Sequence, residues 1–119
     1  MAWKLNPERQ IWLQLVDVLK FRIVSGQYPA GVKLPSVREL AAEAGVNPNT
    51  MQRALAELEA RGLLETQRTA GRTVTGDVEK IAQTRRALAQ TLVHHFYHQA
   101  AALGLTKAEI AALLEQEEA

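Results

Sequence analysis

Asn47, Asn49, Thr50, Gln52 and Arg53 fall within seven consecutive residues. Their side chains are amides, a hydroxyl and a guanidinium. All form hydrogen bonds, and none is a nucleophile set beside a base. Such a set suits flat edges rich in donors and acceptors: an amide pairs bidentately with adenine and a guanidinium with guanine. Arg38 lies upstream, and Arg68 and Arg72 lie to either side of a turn that contains Gly71. These three cations suit phosphate, or a minor groove. The chain has no phosphate loop, no nucleophile–base pair and no pair of placed carboxylates, so an enzyme is the least supported class.

These residues must be held by helices, and the sequence spells where the helices start. Ser36 and Glu39 have the S-x-x-E spacing of a capping box, in which each side chain satisfies a free amide of the first turn. Asn47 followed by Pro48 is an N-cap residue and then a ring suited to the first helical position. Two short helices are predicted, Val37 to Ala44 and Pro48 to Arg61, joined through Ala44, Gly45 and Val46 in a helix-turn-helix. In the second, Met51, Ala54, Leu55 and Leu58 share one face, and the polar set lies mostly off it in the first turn and a half. Glu57 and Glu59 farther along repel phosphate, so this helix is expected to enter a groove by its N-terminal end. The plain alternative for Arg53 is an ion pair with Glu57 four residues on. For Arg38 it is a salt bridge with a neighbouring acid, and for Arg72 a place in an ordinary exposed turn.

An earlier helix is expected from about Pro7 to Ser25, started by Asn6-Pro7 and stopped by Gly26. Its inward face would be Ile11, Leu15, Val18, Leu19 and Ile23. Leu63–Thr66 and Thr73–Thr75 read as the strands of a hairpin joined through 67–72, the wing of a winged helix. After Gly76-Asp77, Val78, Ile81, Leu88, Leu92 and Phe96 recur at helical spacing to about Ala102, a helix of about 40 Å. A small winged-helix body cannot cover so long an apolar stripe, so Ile81, Leu88, Leu92 and Phe96 are expected at a dimer seam. Thr106 and Glu109 form a second capping box, opening a last helix with Ile110, Leu113 and Leu114 on its apolar side.

The chain has 119 residues, 47% of them apolar, enough for one core domain and a modest extension. The net charge is +1 but unevenly placed: residues 1–76 carry ten Lys/Arg against seven Asp/Glu, and residues 77–119 four against six. Only the first part suits phosphate. The absence of cysteine excludes disulfides and thiolate metal sites. No apolar run approaches the roughly 20 residues that cross a bilayer, and the N-terminus has no leader pattern. A soluble cytoplasmic protein with no membrane partner is expected. His94 and His98 stand four apart on the long helix, with His95 between, a spacing that can hold a metal. No carboxylate or thiolate nearby in sequence completes a site, so these are read as polar residues near the seam, with no metal and no cofactor.

The run Gly31-x-Lys33-Leu34-Pro35-Ser36-x-Arg38-Glu39-Leu40-Ala41, then Gly45-Val46-Asn47-Pro48-Asn49-Thr50, then Ala54-Leu55-x-x-Leu58-Glu59-x-x-Gly62-Leu63 resembles the GntR family of bacterial transcription regulators. The resemblance covers about residues 10–76. It implies DNA contacts at Arg38, through Asn47–Arg53 and at Gly71. The short tail looks like the YtrA-like subfamily, in which two C-terminal helices serve dimerisation, and there is no room for the effector domain of the larger branches. The chain departs from the family at the wing. The common Arg-Gly-x-Gly-Thr-aromatic-Val is here Arg68-Thr69-Ala70-Gly71-Arg72-Thr73-Val74, without the first glycine or the aromatic. The expectation is a mainly α protein: a winged-helix DNA-binding domain over 1–76, with Ser36 in its contact set, and a two-helix dimerisation tail over 77–119. Its partners would be double-stranded operator DNA and a second copy, as a repressor on a palindromic operator, with any small-molecule effector unidentified. Two other classes stay open: a winged-helix protein-interaction module, and a sensor with a ligand between tail and wing.

Overall fold

The computed structural model of the chain describes residues 3–69 and 71–118. Its elements are α1 (Ile11–Val24), α2 (Val37–Ala44), α3 (Pro48–Ala60), β1 (Leu64–Gln67), β2 (Gly71–Val74), α4 (Val78–Ala102) and α5 (Lys107–Glu115). This is a mainly helical winged helix followed by C-terminal helices. It divides into two compact units, Met1–Thr84 and Arg85–Ala119.

In the first unit the capping box forms as spelled. The Ser36 hydroxyl accepts from the Glu39 amide at 3.1 Å, and the Glu39 carboxylate accepts from the Ser36 amide at 3.0 Å. Hydrogen bonds from the Ser36 amide and from the Ser36 side chain hold the Glu39 carboxyl below the usual carboxylate range. Gly45 closes α2 at φ +72°, a left-handed value that a side chain would oppose, and so makes the sharp turn into α3. The Asn47 side chain then accepts from the Asn49 amide at 2.7 Å, and Pro48 takes the first turn. Met51, Ala54, Leu55 and Leu58 of α3 are all buried, against Leu15, Leu19 and Ile23 of α1 and Leu40 and Ala41 of α2.

The first helix starts later than its sequence signal. Asn6-Pro7 opens a separate turn: the Asn6 side chain accepts from the Glu8 amide at 2.9 Å, and the Gln14 amide group donates to the Asn6 carbonyl at 2.8 Å. Helix begins only at Ile11, after Gln10, whose side chain makes no cap. A local side chain–backbone bond has won over helix initiation. The stop at Gly26 is as expected, with φ +88°.

Arg22 of α1 is 5% exposed, an unusual place for a guanidinium. Its Nη2 lies 2.6 Å from Oε2 of Glu43 in α2, and its Nη1 donates to the Tyr28 hydroxyl at 2.7 Å. The Trp3 indole donates to the same Glu43 oxygen at 2.6 Å, and its ring sits 4.6 Å from the guanidinium carbon. One buried cation thus ties the N-terminal segment, α1, the following loop and α2 together.

The wing strands run farther toward their connection than expected, β1 as far as Gln67 and β2 from Gly71. Ala70, expected in it, lies outside the described residues. β1 and β2 pair antiparallel with Leu64 opposite Val74 and Gln67 opposite Gly71. Residues 31–34 run along the other edge of β2: the amides of Gly31 and Leu34 donate to Val74 and Arg72 carbonyls at 3.0 and 2.9 Å, and the Val74 amide to Val32 at 2.9 Å. The loop before α2 is therefore fastened to the wing. Glu59 of α3 fastens it again, accepting from the Thr66 hydroxyl at 2.5 Å and from Arg72 Nε at 3.2 Å.

In α4 the Asp77 carboxylate accepts from the Lys80 amide at 3.0 Å, capping the helix start. Ile81, expected at a dimer seam, is buried within the first unit at 6% exposure. In the second unit α5 opens on its own capping box, Thr106 with Glu109. Among the described residues only Ala100 and Ile110 are buried there, while Leu92, Val93, Phe96, Leu103, Leu113 and Leu114 are exposed.

Glu43 gives a pH prediction. Hydrogen bonds from Arg22 and Trp3 hold its carboxyl below the usual range, against burial. A carboxyl depressed on folding contributes stability above its unfolded value, about 4.3, and loses it as pH falls through the folded value. Glu43→Gln should therefore cost about 1–2 kcal/mol at pH 7 in urea unfolding, a gap that shrinks below pH of about 4. A gap constant from pH 7 to 3 would refute this. Glu59→Ala should release the wing at a cost of about 1 kcal/mol and speed amide hydrogen exchange over 64–74 more than over α1. Unchanged exchange there would remove Glu59 as the tether.

Candidate nucleic-acid interface

The buried stripe of α3 fixes which residues its other side presents. Asn49, Gln52 and Arg53 are exposed and Thr50 half-buried, all within the first six helical residues. The amides of that first turn have no helical acceptors, so this end also carries the positive dipole. Asn47 spends its side-chain oxygen on the cap, which leaves its amino group to donate. The Ser36 hydroxyl is likewise engaged with Glu39, in the cap.

The acids of α3 are neutralised locally. Glu57 pairs with Arg61, not Arg53, with 2.8 Å between Oε2 and Nε. Glu59 pairs with Arg72. The expected alternative for Arg53 is thereby replaced: its guanidinium carbon stands 4.1 Å from the centroid of the Trp12 ring on α1. Trp12 is a residue the sequence reading passed over. The one sequence signal for it is an aromatic at the start of α1, one position away from the aliphatic stripe.

Arg38 is exposed on the first turn of α2, with no carboxylate paired to it among the described residues. Arg68 is exposed in the wing turn. Arg72 is placed otherwise than expected. It lies in β2 opposite Thr66, half-buried and ion-paired, so it braces the wing from the strand and is not at the tip. Gly71 begins β2 at φ +75°, the conformation that lets the strand leave so short a turn. Ser36, Gly71 and Arg72 line one cleft of about 380 Å³ with Lys33, Pro35 and Thr66. The structure thus brings the start of α2 to the wing and leaves the 47–53 set on the adjoining end of α3.

His94 and His98 lie edge to face with ring centroids 4.3 Å apart. No group of three or more His, Cys, Asp or Glu that could hold a metal occurs among the described residues. Nor is any described helix long and apolar enough to cross a membrane.

Residues 12–74 match the family model for bacterial regulatory proteins of the gntR family. The uncharacterised regulator YhcF of Bacillus subtilis is 38% identical over 105 residues, covering 88% of this chain and 87% of its own. The transcriptional repressor YtrA of the same organism is 33% identical over 93 residues, covering 73% and 72%. A solved GntR family transcriptional regulator from Listeria monocytogenes superposes with a TM-score of 0.86 at 38% identity, over 96% of this chain and all of that one. A match over the whole winged helix, and relatives aligned across most of their length, make this chain a member of the GntR family of bacterial transcription regulators, DNA-binding proteins of YtrA-like type.

Proposed function

We propose that two copies of this chain, joined through residues 85–119, occupy a partly palindromic operator as a repressor. The observation that carries the DNA-reading surface is the division of α3: one face wholly buried, both acids tied to arginines, and Asn49, Thr50, Gln52 and Arg53 facing outward at the N-terminal end. In this reading the start of α3 enters the major groove. Arg38, Ser36 and Asn47 take phosphates, and Arg68 with Gly71 reaches the flank. Arg72 supports the wing and adds positive potential.

A pair is favoured by the second unit. It spans 35 residues with no cysteine, below the size at which a chain segment holds a core unaided. Its apolar side chains lie open: α4 and α5 frame a groove of about 670 Å³ floored by Ala89, Val93, Phe96, Ile110 and Leu114. Exposed apolar patches of this kind mark association sites. Leu88, Leu92 and Phe96 are the seam residues of this reading. Two copies about a twofold axis would present two recognition helices to successive major grooves. Repression follows the named role of YtrA, and a transporter operon is the target that the resemblance to the YtrA-like subfamily implies.

Mapping bound sites across a genome and measuring affinity on an enriched duplex tests the whole. Affinity should fall steeply between 50 and 200 mM salt, because each neutralised phosphate releases counterions. Arg38→Ala should cost about 1–3 kcal/mol if it reads a base, or flatten the salt slope by about one if it holds a phosphate. A salt-independent affinity, or an Arg38→Ala protein equal to wild type in both respects, sinks the assignment. Leu92→Glu with Phe96→Glu should sediment as a monomer with the winged helix still folded; a dimer that persists places the interface elsewhere.

A further inference from the structure

Arg53 is the one arginine of the recognition helix, and the molecule does with it something different from its neighbours. Arg22, Arg61 and Arg72 each pair with a carboxylate. Arg53 pairs with a ring: its guanidinium lies over Trp12, 4.1 Å from the ring centroid. The distinction matters chemically. A carboxylate takes up the forked N–H groups that a guanidinium would use on a base or phosphate. An aromatic face attracts the cation through its quadrupole and leaves the in-plane N–H fork free.

Trp12 is itself placed at some cost. Its indole N–H is enclosed and has no hydrogen-bond partner among the described residues. A buried donor left unsatisfied calls for a reason to keep the residue. Phenylalanine would fill much of the same space without an orphan donor, but its face attracts a cation less than that of tryptophan. Trp12 belongs to α1, which packs directly on α3, so the platform is anchored in the core and not on a mobile loop.

From this arrangement we infer that Trp12 is a positioning residue for base recognition: its ring holds the Arg53 guanidinium in place before DNA arrives, with the donor edge presented to the groove. The inference rests on the reading of α3 as the groove-entering helix. Holding the side chain in advance removes part of the ordering cost of a long, flexible residue at binding. It also confines the fork to one base position, which makes the contact selective as well as attractive.

The test uses the full chain and duplexes that the wild-type protein selects from a random-sequence pool. Trp12→Leu should weaken binding to the selected duplex by about threefold to tenfold, the range of a partly desolvated cation–π contact. It should flatten the preference among the four bases at the same position that Arg53→Ala flattens. Trp12→Phe should retain most of the affinity. Adding Trp12→Leu to Arg53→Ala should change nothing further. Arg53→Lys, at an exposed site that leaves the core untouched, should behave like Arg53→Ala at that base, because an ammonium cannot present the stacked fork. In a Trp3→Phe background the emission of Trp12, then the only indole, should shift when the selected duplex is added.

Full additivity of Trp12→Leu with Arg53→Ala would overturn the inference, as would an equal loss on every sequence or an unchanged emission. So would an Arg53→Lys protein that keeps its preference, a result that stands even if Trp12→Leu does not fold. Failure to select any sequence would instead sink the operator reading, and leaves the two outcomes distinct.

Discussion

The ion pair of the buried Arg22 with Glu43 at the surface is the interaction on which the placement of the proposed reading surface depends. α1 and α2 each pack on α3 through aliphatic side chains. Packing of that kind is non-directional and leaves helices some freedom to slide. The link from Arg22 to Glu43 joins α1 and α2 directly, and the Tyr28 hydroxyl and Trp3 indole add a hydrogen bond to each partner of the pair. A buried charge is tolerated only when so satisfied, and its geometry is stricter than that of a methyl group. The turn at Gly45 then has fixed ends, and the first turn of α3 emerges at a set angle.

Much of this was legible in the chain. The capping boxes at Ser36/Glu39 and Thr106/Glu109 and the cap at Asn47 are local devices, settled by residues two or three apart, and each forms as spelled. The buried face of α3 follows from its period. Illegible features depend on residues far apart in sequence. Arg22 looks like any polar residue of an amphipathic helix until Glu43, 21 positions on, closes over it. Arg72 looks like a wing-tip cation until the hairpin register places it opposite Thr66 and beside Glu59. Asn6-Pro7 was ambiguous in kind, because the same Asx chemistry starts a helix or closes a turn. Ile81 fits the stripe of α4, but periodicity cannot tell which stripe residue meets its own domain and which meets something else.

The tail sharpens that last point. The same helix contains a buried Ile81 and, eleven residues later, an open Leu92. Folding in the single chain accounts for the first and not the second. α5 packs back on α4 with one fully committed side chain, Ile110, while Leu113 and Leu114 stay open. Two helices in contact cannot bury more than one face of each. In the proposed dimer, a second copy would supply a third and fourth helix to cover the open face.

The arginines sort by partner, and the sorting separates structure from recognition. A guanidinium matched to a carboxylate can meet phosphate only by giving up a charge-assisted bond, so Arg22, Arg61 and Arg72 belong to the scaffold first. Arg38 and Arg68 are exposed with no carboxylate paired to them among the described residues, and suit a contact made mainly by charge. Arg53 lies between these classes: held over a ring, with no carboxylate paired to it among the described residues. Rigid placement and an unspent fork are what a bidentate base contact requires, whereas a phosphate contact tolerates a loose cation. By that criterion the proposed base reading would centre on Arg53 and its amide neighbours, with Arg38 and Arg68 setting register and attraction.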